Sequence, residues 1–245
     1  MDKCPTCGSL PDKDLDGVEL GRVNGTYKYL GKEYDCDCET QIILRKHYLI
    51  AEIPDEYQRL DWETFRAKDV ATTVDNYIFN WPNMKSNGLG VELSSVGLGT
   101  GKTFTATHIG KELIKLGETV FFCSFRDAIN LIIEDVVERK NLEDKLKNST
   151  VLILDEVCPA ISSSQWGYFS NRLEDIIRYR TNWNKITIMT TNMTQDELRE
   201  GYPRTYSLLE AKQWRIELSG EDARMTGMNI ENSNLALNGE VRPIT

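Results

Sequence analysis

The sequence predicts an α/β protein, a three-layer α/β/α core built on a parallel sheet, with a small cysteine-rich module ahead of it. Three observations carry that reading. A glycine-rich loop joins an apolar strand to a helix across Val91 to Phe104, which is the order of parts in a phosphate-binding loop. The apolar run Val151-Leu152-Ile153-Leu154 ends in the acidic pair Asp155-Glu156, and two close cysteine pairs, Cys4/Cys7 and Cys36/Cys38, lie near the start of the chain.

A chain of 245 residues can bury one full α/β core and still carry an appendage. No apolar run approaches a membrane span and Met1-Asp2-Lys3 does not open a signal peptide, so a cytoplasmic protein with no membrane partner is expected. A net charge of -9 argues against coating nucleic acid through an overall field. It leaves room for local contact and suits docking on a protein. Six cysteines in such a compartment point to metal or buried thiols before disulfides.

Taken in order, Cys4-Pro5-Thr6-Cys7-Gly8 opens the module, and Val23 to Tyr34 reads as a hairpin with Asn24-Gly25 at one turn. So short a segment has too few apolar residues for a core of its own. Cys4, Cys7, Cys36 and Cys38 around Zn²⁺ would supply the missing cross-link, and four thiolates would make the site structural. Disulfides or free thiols are the alternatives. His47 could replace one ligand, although its setting reads as a helix face. Gln41 to Ala51 is helical in pattern and Ile53-Pro54 breaks it. Asp55 to Phe65 reads as a linker packing on the catalytic core, Val70 to Trp81 as a helix, and Pro82 to Gly90 as a loop.

The phosphate loop follows. Gly97, Leu98, Gly99, Thr100, Gly101, Lys102, Thr103 and Phe104 form the expected nucleotide-binding stretch, with Val96 where the motif's first glycine should stand. Backbone amides and a helix N-terminus suit a polyphosphate, Lys102 adds a full charge toward the β and γ phosphates, and the Thr103 hydroxyl is placed to hold Mg²⁺. Phe104, Ile109, Leu113 and Leu116 lie at helical spacing, Gly117 suits a C-cap, and Thr119 to Phe125 reads as a buried strand. Ala128 to Val137 is an apolar helical stripe that Glu138 to Asn148 continues as a charged, solvated run.

The Val151 strand delivers Asp155 and Glu156 at its C-terminal end, where open α/β sheets bind ligands. Asp155 is expected to hold Mg²⁺ and Glu156 to orient the attacking water. A helix over Trp166 to Tyr179 and a strand over Lys185 to Thr191 come next, and Asn192 closes that strand. Asn192 reads as a γ-phosphate or water sensor, or more plainly as part of a cap for the helix over Gln195 to Glu200.

These parts together resemble the AAA+ replicative helicase loaders of the DnaC/DnaI type, in the Gram-positive and phage form with an N-terminal zinc module. The matching residues are Cys4, Cys7, Cys36 and Cys38; Ile53-Pro54 to Phe65; Gly99 to Thr103; Leu154-Asp155-Glu156; Trp166, Ile176, Ile177 and Arg180; Thr190-Thr191-Asn192; and Gly220-Glu221-Asp222-Ala223-Arg224. The resemblance implies a zinc module over residues 1–50 that meets the helicase, a linker and helix over 51–82, and an AAA+ ATPase over 83–228. A polar, loosely ordered tail over 229–245 completes the chain.

The same resemblance places Arg224 on the γ-phosphate and makes the catalytic set Glu156, Lys102, Asn192 and Arg224, with ATP, Mg²⁺ and Zn²⁺ as cofactors. It implies a hexameric helicase, single-stranded DNA and further copies of this chain as partners. One departure stands out: the position of the family's arginine finger is Leu208. Either Arg204 or Arg215 replaces it, or ATP is hydrolysed weakly and acts chiefly as a switch. A transposition-helper ATPase and a non-hydrolysing protein that binds a helicase or its loader are the other readings.

Overall fold

The computed structural model describes residues 3–13, 16–17, 19–62, 70–134, 136–159, 166–219 and 229–245. The chain divides into two compact units, one made of Met1–Thr64 with Arg224–Thr245, the other of Phe65–Ala223.

The larger unit is built on five parallel strands: β5 (Gly90–Ser94), β6 (Val120–Ser124), β7 (Val151–Val157), β8 (Ile186–Thr191) and β9 (Gln213–Glu217), in the order β6-β7-β8-β5-β9. Alternation along β7 explains why the sheet is covered on both faces. Leu152 and Leu154 join a large apolar cluster with Phe125, Phe169, Leu173 and Ile177, from α5 (Phe125–Glu134) and α7 (Trp166–Asn182). Ile153 faces the other way, onto α4 (Lys102–Lys115), where a Cβ on Gly110 would meet Ile153 Cδ1 at 2.7 Å. Glycine there lets the helix lie close on the strand. The result is the expected α/β/α sandwich.

Several elements differ from expectation. Pro82 to Gly90 holds a helix, α3 (Trp81–Asn87), directly after α2 (Ala71–Phe79). Proline in the first helical turn costs no hydrogen bond, and Gly88, at φ 66°, ends the helix in the left-handed region. The run after β6 forms two helices, α5 and α6 (Val136–Asn148). Leu116 is exposed, not core. Helices α8 (Gln195–Gly201) and α9 (Pro203–Glu210) precede β9, an edge strand too polar to announce itself.

Arg180 lies wholly buried at the end of α7. Its guanidinium donates to the carbonyls of Leu146 (2.7 Å), Ser149 (3.0 Å), Thr150 (3.3 Å) and Ile186 and to Thr187 Oγ1 (3.1 Å). It thereby caps α6 and joins that helix end to the starts of β7 and β8. Burial lowers its pKa to about 9. A backbone-tracking role on DNA, open to an exposed arginine at this position, is excluded by that burial.

In the smaller unit, β1 (Asp12–Lys13) pairs with β2 (Glu19–Gly21), and β3 (Thr26–Tyr29) with β4 (Lys32–Asp35), both antiparallel. The tight turn of the second hairpin is Leu30-Gly31, with φ of 49° and 73°, and not Asn24-Gly25. Gly25 serves another need: a Cβ there would stand 2.9 Å from Cys7 Sγ. Helix α1 (Cys38–Ile50) follows, capped by the Asp37 carboxylate, then a single 3-10 turn, Tyr57–Arg59. The backbone carbonyls of Gln58 and Leu60 accept from Thr245, and residues 55–62 fall within this unit.

The tail is ordered, contrary to expectation. Helix α10 (Asn229–Leu237) leads into a segment whose Arg242 and Ile244 are buried. Among the described residues no helix is long and apolar enough to cross a membrane.

Replacing Arg180 by methionine removes the donor from several buried carbonyls at once. The variant should lose about 3 kcal/mol or more of stability in urea unfolding of the full chain, and an unchanged midpoint would show that the carbonyls find other partners.

Candidate nucleotide and metal sites

The C-terminal ends of β7, β8 and β5 lie side by side, and the phosphate loop leaves β5 at that edge. Gly99 (φ 66°) and Gly101 (φ 92°) take left-handed backbone that lets the loop close on the first turn of α4. Val96 is 83% exposed and lies outside the positive-φ set, so its side chain does not obstruct the loop. Leu98 is also exposed, whereas Phe104 is core. The Lys102 ammonium folds over the loop, donating to Gly97 O (3.1 Å) and Thr100 Oγ1 (3.3 Å). An incoming polyphosphate would compete for that charge.

Thr103 Oγ1 donates to both carboxylate oxygens of Asp155, at 3.0 and 3.2 Å. This oxygen-only pair suits a hard divalent cation that keeps some of its water. Burial pushes the Asp155 carboxyl above its usual range, opposed by hydrogen bonds from Thr190 and Thr103.

Thr190, which the sequence reading names only within the Thr190-Thr191-Asn192 run and gives no role, stands at the centre of this strand end. Its hydroxyl donates to Asp155 Oδ1 at 2.6 Å and accepts from the Glu156 amide at 2.8 Å. The reason lies in the strand register, where Leu154 pairs with Met189 and Val157 with Thr191. Two residues, Asp155 and Glu156, therefore oppose one, Thr190, which is a β-bulge. Glu156 sits at φ 57°, and its side chain is exposed while Asp155 stays buried. The bulge gives two adjacent carboxylates different surroundings.

Asn192 is exposed just past the end of β8, and Thr191 Oγ1 holds the strand end by donating to Val157 O at 2.8 Å. Thr194, not Asn192, caps α8, through a reciprocal capping box with Glu197. Arg224 lies outside the described residues, as does Phe65.

The two substitute arginines have different settings. Arg215 pairs with Glu92 (3.6 Å) and Glu210 (3.8 Å) and donates to Tyr206 OH at 2.7 Å. Arg204, at the start of α9, has a 76% exposed side chain with a long contact to Glu174 at 3.5 Å. Leu208 packs against the apolar cluster.

In the smaller unit the Sγ atoms of Cys4, Cys7, Cys36 and Cys38 all lie within 4.8 Å of one another, with Cys4–Cys36 at 3.7 Å and Cys7–Cys38 at 3.4 Å. A tetrahedral shell with Zn–S of about 2.3 Å requires sulfurs about 3.8 Å apart. A disulfide would need about 2.05 Å, and all six cysteines are free. His47 is exposed on α1 and is not in the cluster. The thiols of Cys4 and Cys36 are raised by burial, whereas at Cys7 burial is outweighed by hydrogen bonds with Ser9 and the pKa falls to about 6.

The larger unit thus has the strand order, phosphate loop and acidic strand end of a P-loop AAA+ core. Among solved structures it is similar to the DnaC helicase loader (TM-score 0.57, 23% identity, covering 68% of this chain and all of that one). It is likewise similar to DnaI (TM-score 0.57, 19% identity, 74% and 100%). AMPPCP-bound DnaA from Aquifex aeolicus aligns over 72% of this chain and 54% of its own (TM-score 0.51, 19% identity). At these identities the likeness is one of fold. No protein-family model matches the chain, and no curated protein does.

Thr190→Val keeps shape and removes the hydroxyl, leaving the Glu156 amide and Asp155 without their shared partner. A loss of about 1–3 kcal/mol in thermal or chemical unfolding is expected, with weaker magnesium-dependent nucleotide binding by calorimetry. Thr190→Ser should restore both; if valine behaves like threonine, the hydroxyl does not organise the strand end.

Proposed function

We propose that this chain is an ATP-dependent loader that binds a replicative hexameric helicase and helps place it on single-stranded DNA. The observation that carries the reading is the combination, in one chain, of the Lys102/Thr103/Asp155 centre with a four-cysteine module, on a fold similar to DnaC and DnaI. A DnaA structure of similar fold holds AMPPCP and single-stranded DNA, which supports nucleotide binding and local DNA contact in this reading.

In this reading residues Gly97 to Phe104 wrap the phosphates and Lys102 leaves Gly97 O to meet them. Thr103 and Asp155 hold Mg²⁺, which would draw charge from the phosphate oxygens. Glu156, turned out of the strand by the bulge, orients the attacking water, while Asn192 and Arg224 report on the γ-phosphate. Copies of the chain assemble with the helicase, and Arg204 is the better finger candidate because Arg215 is committed to Glu92, Glu210 and Tyr206. A structural Zn²⁺ completes the cofactors, and the cytoplasm is the compartment in which such a protein acts. The packing of Leu208 at the finger position favours a second reading, a protein that binds a helicase or its loader and turns ATP over little or not at all.

Helix α1 offers the docking face. Ile43, Leu49 and Ile50 are exposed on it, with Ile43 and Ile50 two turns apart on one side. Native mass spectrometry of the full chain with a cognate hexameric helicase, with and without ATP and Mg²⁺, should give a defined complex of several copies per hexamer. Ile43→Asp with Ile50→Asp should weaken that complex at least tenfold. Absence of any complex in every nucleotide state would transfer the assignment to another AAA+ client, such as a transposition helper.

Lys102→Ala should abolish ATP binding in calorimetry, and unchanged affinity would remove the phosphate-loop assignment. Glu156→Gln should bind ATP normally and lose turnover by at least a hundredfold, measured with helicase and DNA present; equal rates would take the water-orienting role away from Glu156.

A further inference from the structure

Two side chains reach from the cysteine cluster to a segment more than two hundred residues away in sequence. Gln41, one turn into α1 from Cys38, accepts from Thr6 Oγ1 (2.5 Å) in the Cys4–Cys7 knuckle and from Ile244 N (2.7 Å), and donates to Ile244 O at 3.0 Å. Arg59 donates to Pro5 O (2.8 Å), Thr6 Oγ1 (3.5 Å) and Arg242 O. Both residues use the same design: one end on the loop between two metal-ligating cysteines, the other on the backbone of residues 242–244.

The rest of that segment is held as closely. Val241 N donates to Lys28 O (2.8 Å), Thr245 N to Gln58 O (3.1 Å) and Thr245 Oγ1 to Leu60 O (3.2 Å), while Tyr48 OH donates to Thr245 O (2.7 Å) and Ile244 is buried. The segment therefore crosses the hairpin, α1 and the 3-10 turn. In a unit with so small a core, these contacts and the cysteine cluster are the main constraints on the same loops.

We infer that Val241–Thr245 is a strap belonging to the metal centre, with Gln41 and Arg59 as positioning residues, so that metal retention and strap docking are linked. The inference rests on the zinc assignment. Groups that hold a ligand-bearing loop typically change metal affinity by 10–100-fold when removed, and linkage requires the effect to run both ways. Metal loss loosens the knuckle that Gln41 and Arg59 grip, and the strap is released. A loosened strap in turn leaves the Cys4–Cys7 loop free to open.

The test uses the full zinc-loaded chain and two readouts that need no enzymatic activity. Zinc release to a chromogenic chelator should be 10–100-fold faster in Gln41→Leu and in Ile244→Asp than in the parent, although Ile244 is not one of the four candidate ligands. Amide hydrogen exchange on the unsubstituted protein, before and after zinc removal, should show Val241, Ile244 and Thr245 losing protection while strands β5 and β8 keep theirs. Unchanged release from Ile244→Asp, or a strap still protected in stripped protein, overturns the linkage while leaving zinc binding intact. A chain that binds no zinc at all overturns the metal assignment and the linkage together. Should Ile244→Asp not fold, the exchange measurement on the unsubstituted chain decides.

Discussion

A single hydroxyl organises the edge of the larger unit where the phosphate loop, Asp155 and Glu156 meet. Thr190 sits opposite two residues of β7 where regular pairing would give it one, and it satisfies both, accepting from the Glu156 amide and donating to Asp155. Without that bridge the bulge would leave a polar backbone group unpaired at the buried end of a sheet. With it, one carboxylate faces inward to Thr103 and the next is turned outward through a left-handed backbone. The division of labour proposed for Asp155 and Glu156 is a consequence of this register irregularity, because neighbours on a regular strand would differ only in which face they occupy.

The smaller unit solves a different problem. Its strands are short and polar, so burial alone cannot hold them. Four sulfurs at zinc-compatible spacing would, with the proposed zinc, fix one end of α1 to the knuckle, and the strap joins the other parts to each other. Gly25 belongs to the same economy of space, since any side chain there would strike Cys7.

Much of this was legible in the sequence, for identifiable reasons. β5, β6, β7 and β8 are apolar runs buried on both faces, and such runs stand out. The phosphate loop and the cysteine pairs are local in sequence, so spacing reveals them. What was missed depends on distant partners. β9, Gln213-Trp214-Arg215-Ile216-Glu217, is an edge strand buried only at Ile216 and is defined by its pairing with β5. The bulge is a relation between β7 and β8 that neither strand shows alone. The strap, Val241-Arg242-Pro243-Ile244-Thr245, is too short to show a helical or strand period, and its order comes from Gln41, Tyr48, Gln58 and Arg59. Pro82 and Asn24-Gly25 misled because each has two uses, and only tertiary context selects between helix start and loop, or close approach and turn.

The strap also sets a timetable. Residues 65–223 are inserted between the two pieces of the smaller unit, so a nascent chain presents its cysteine knuckle long before the backbone that will close over it exists. At about 5–20 residues per second, the roughly 180 residues between Leu60 and Val241 take on the order of 10–40 s to synthesise. During that interval the knuckle and α1 must wait while the α/β core, whose strands are all available earlier, can fold. The α/β unit is thus placed to mature first, and the unit proposed to meet the helicase closes later, so that a chain truncated before the strap does not present the proposed docking surface in its finished form.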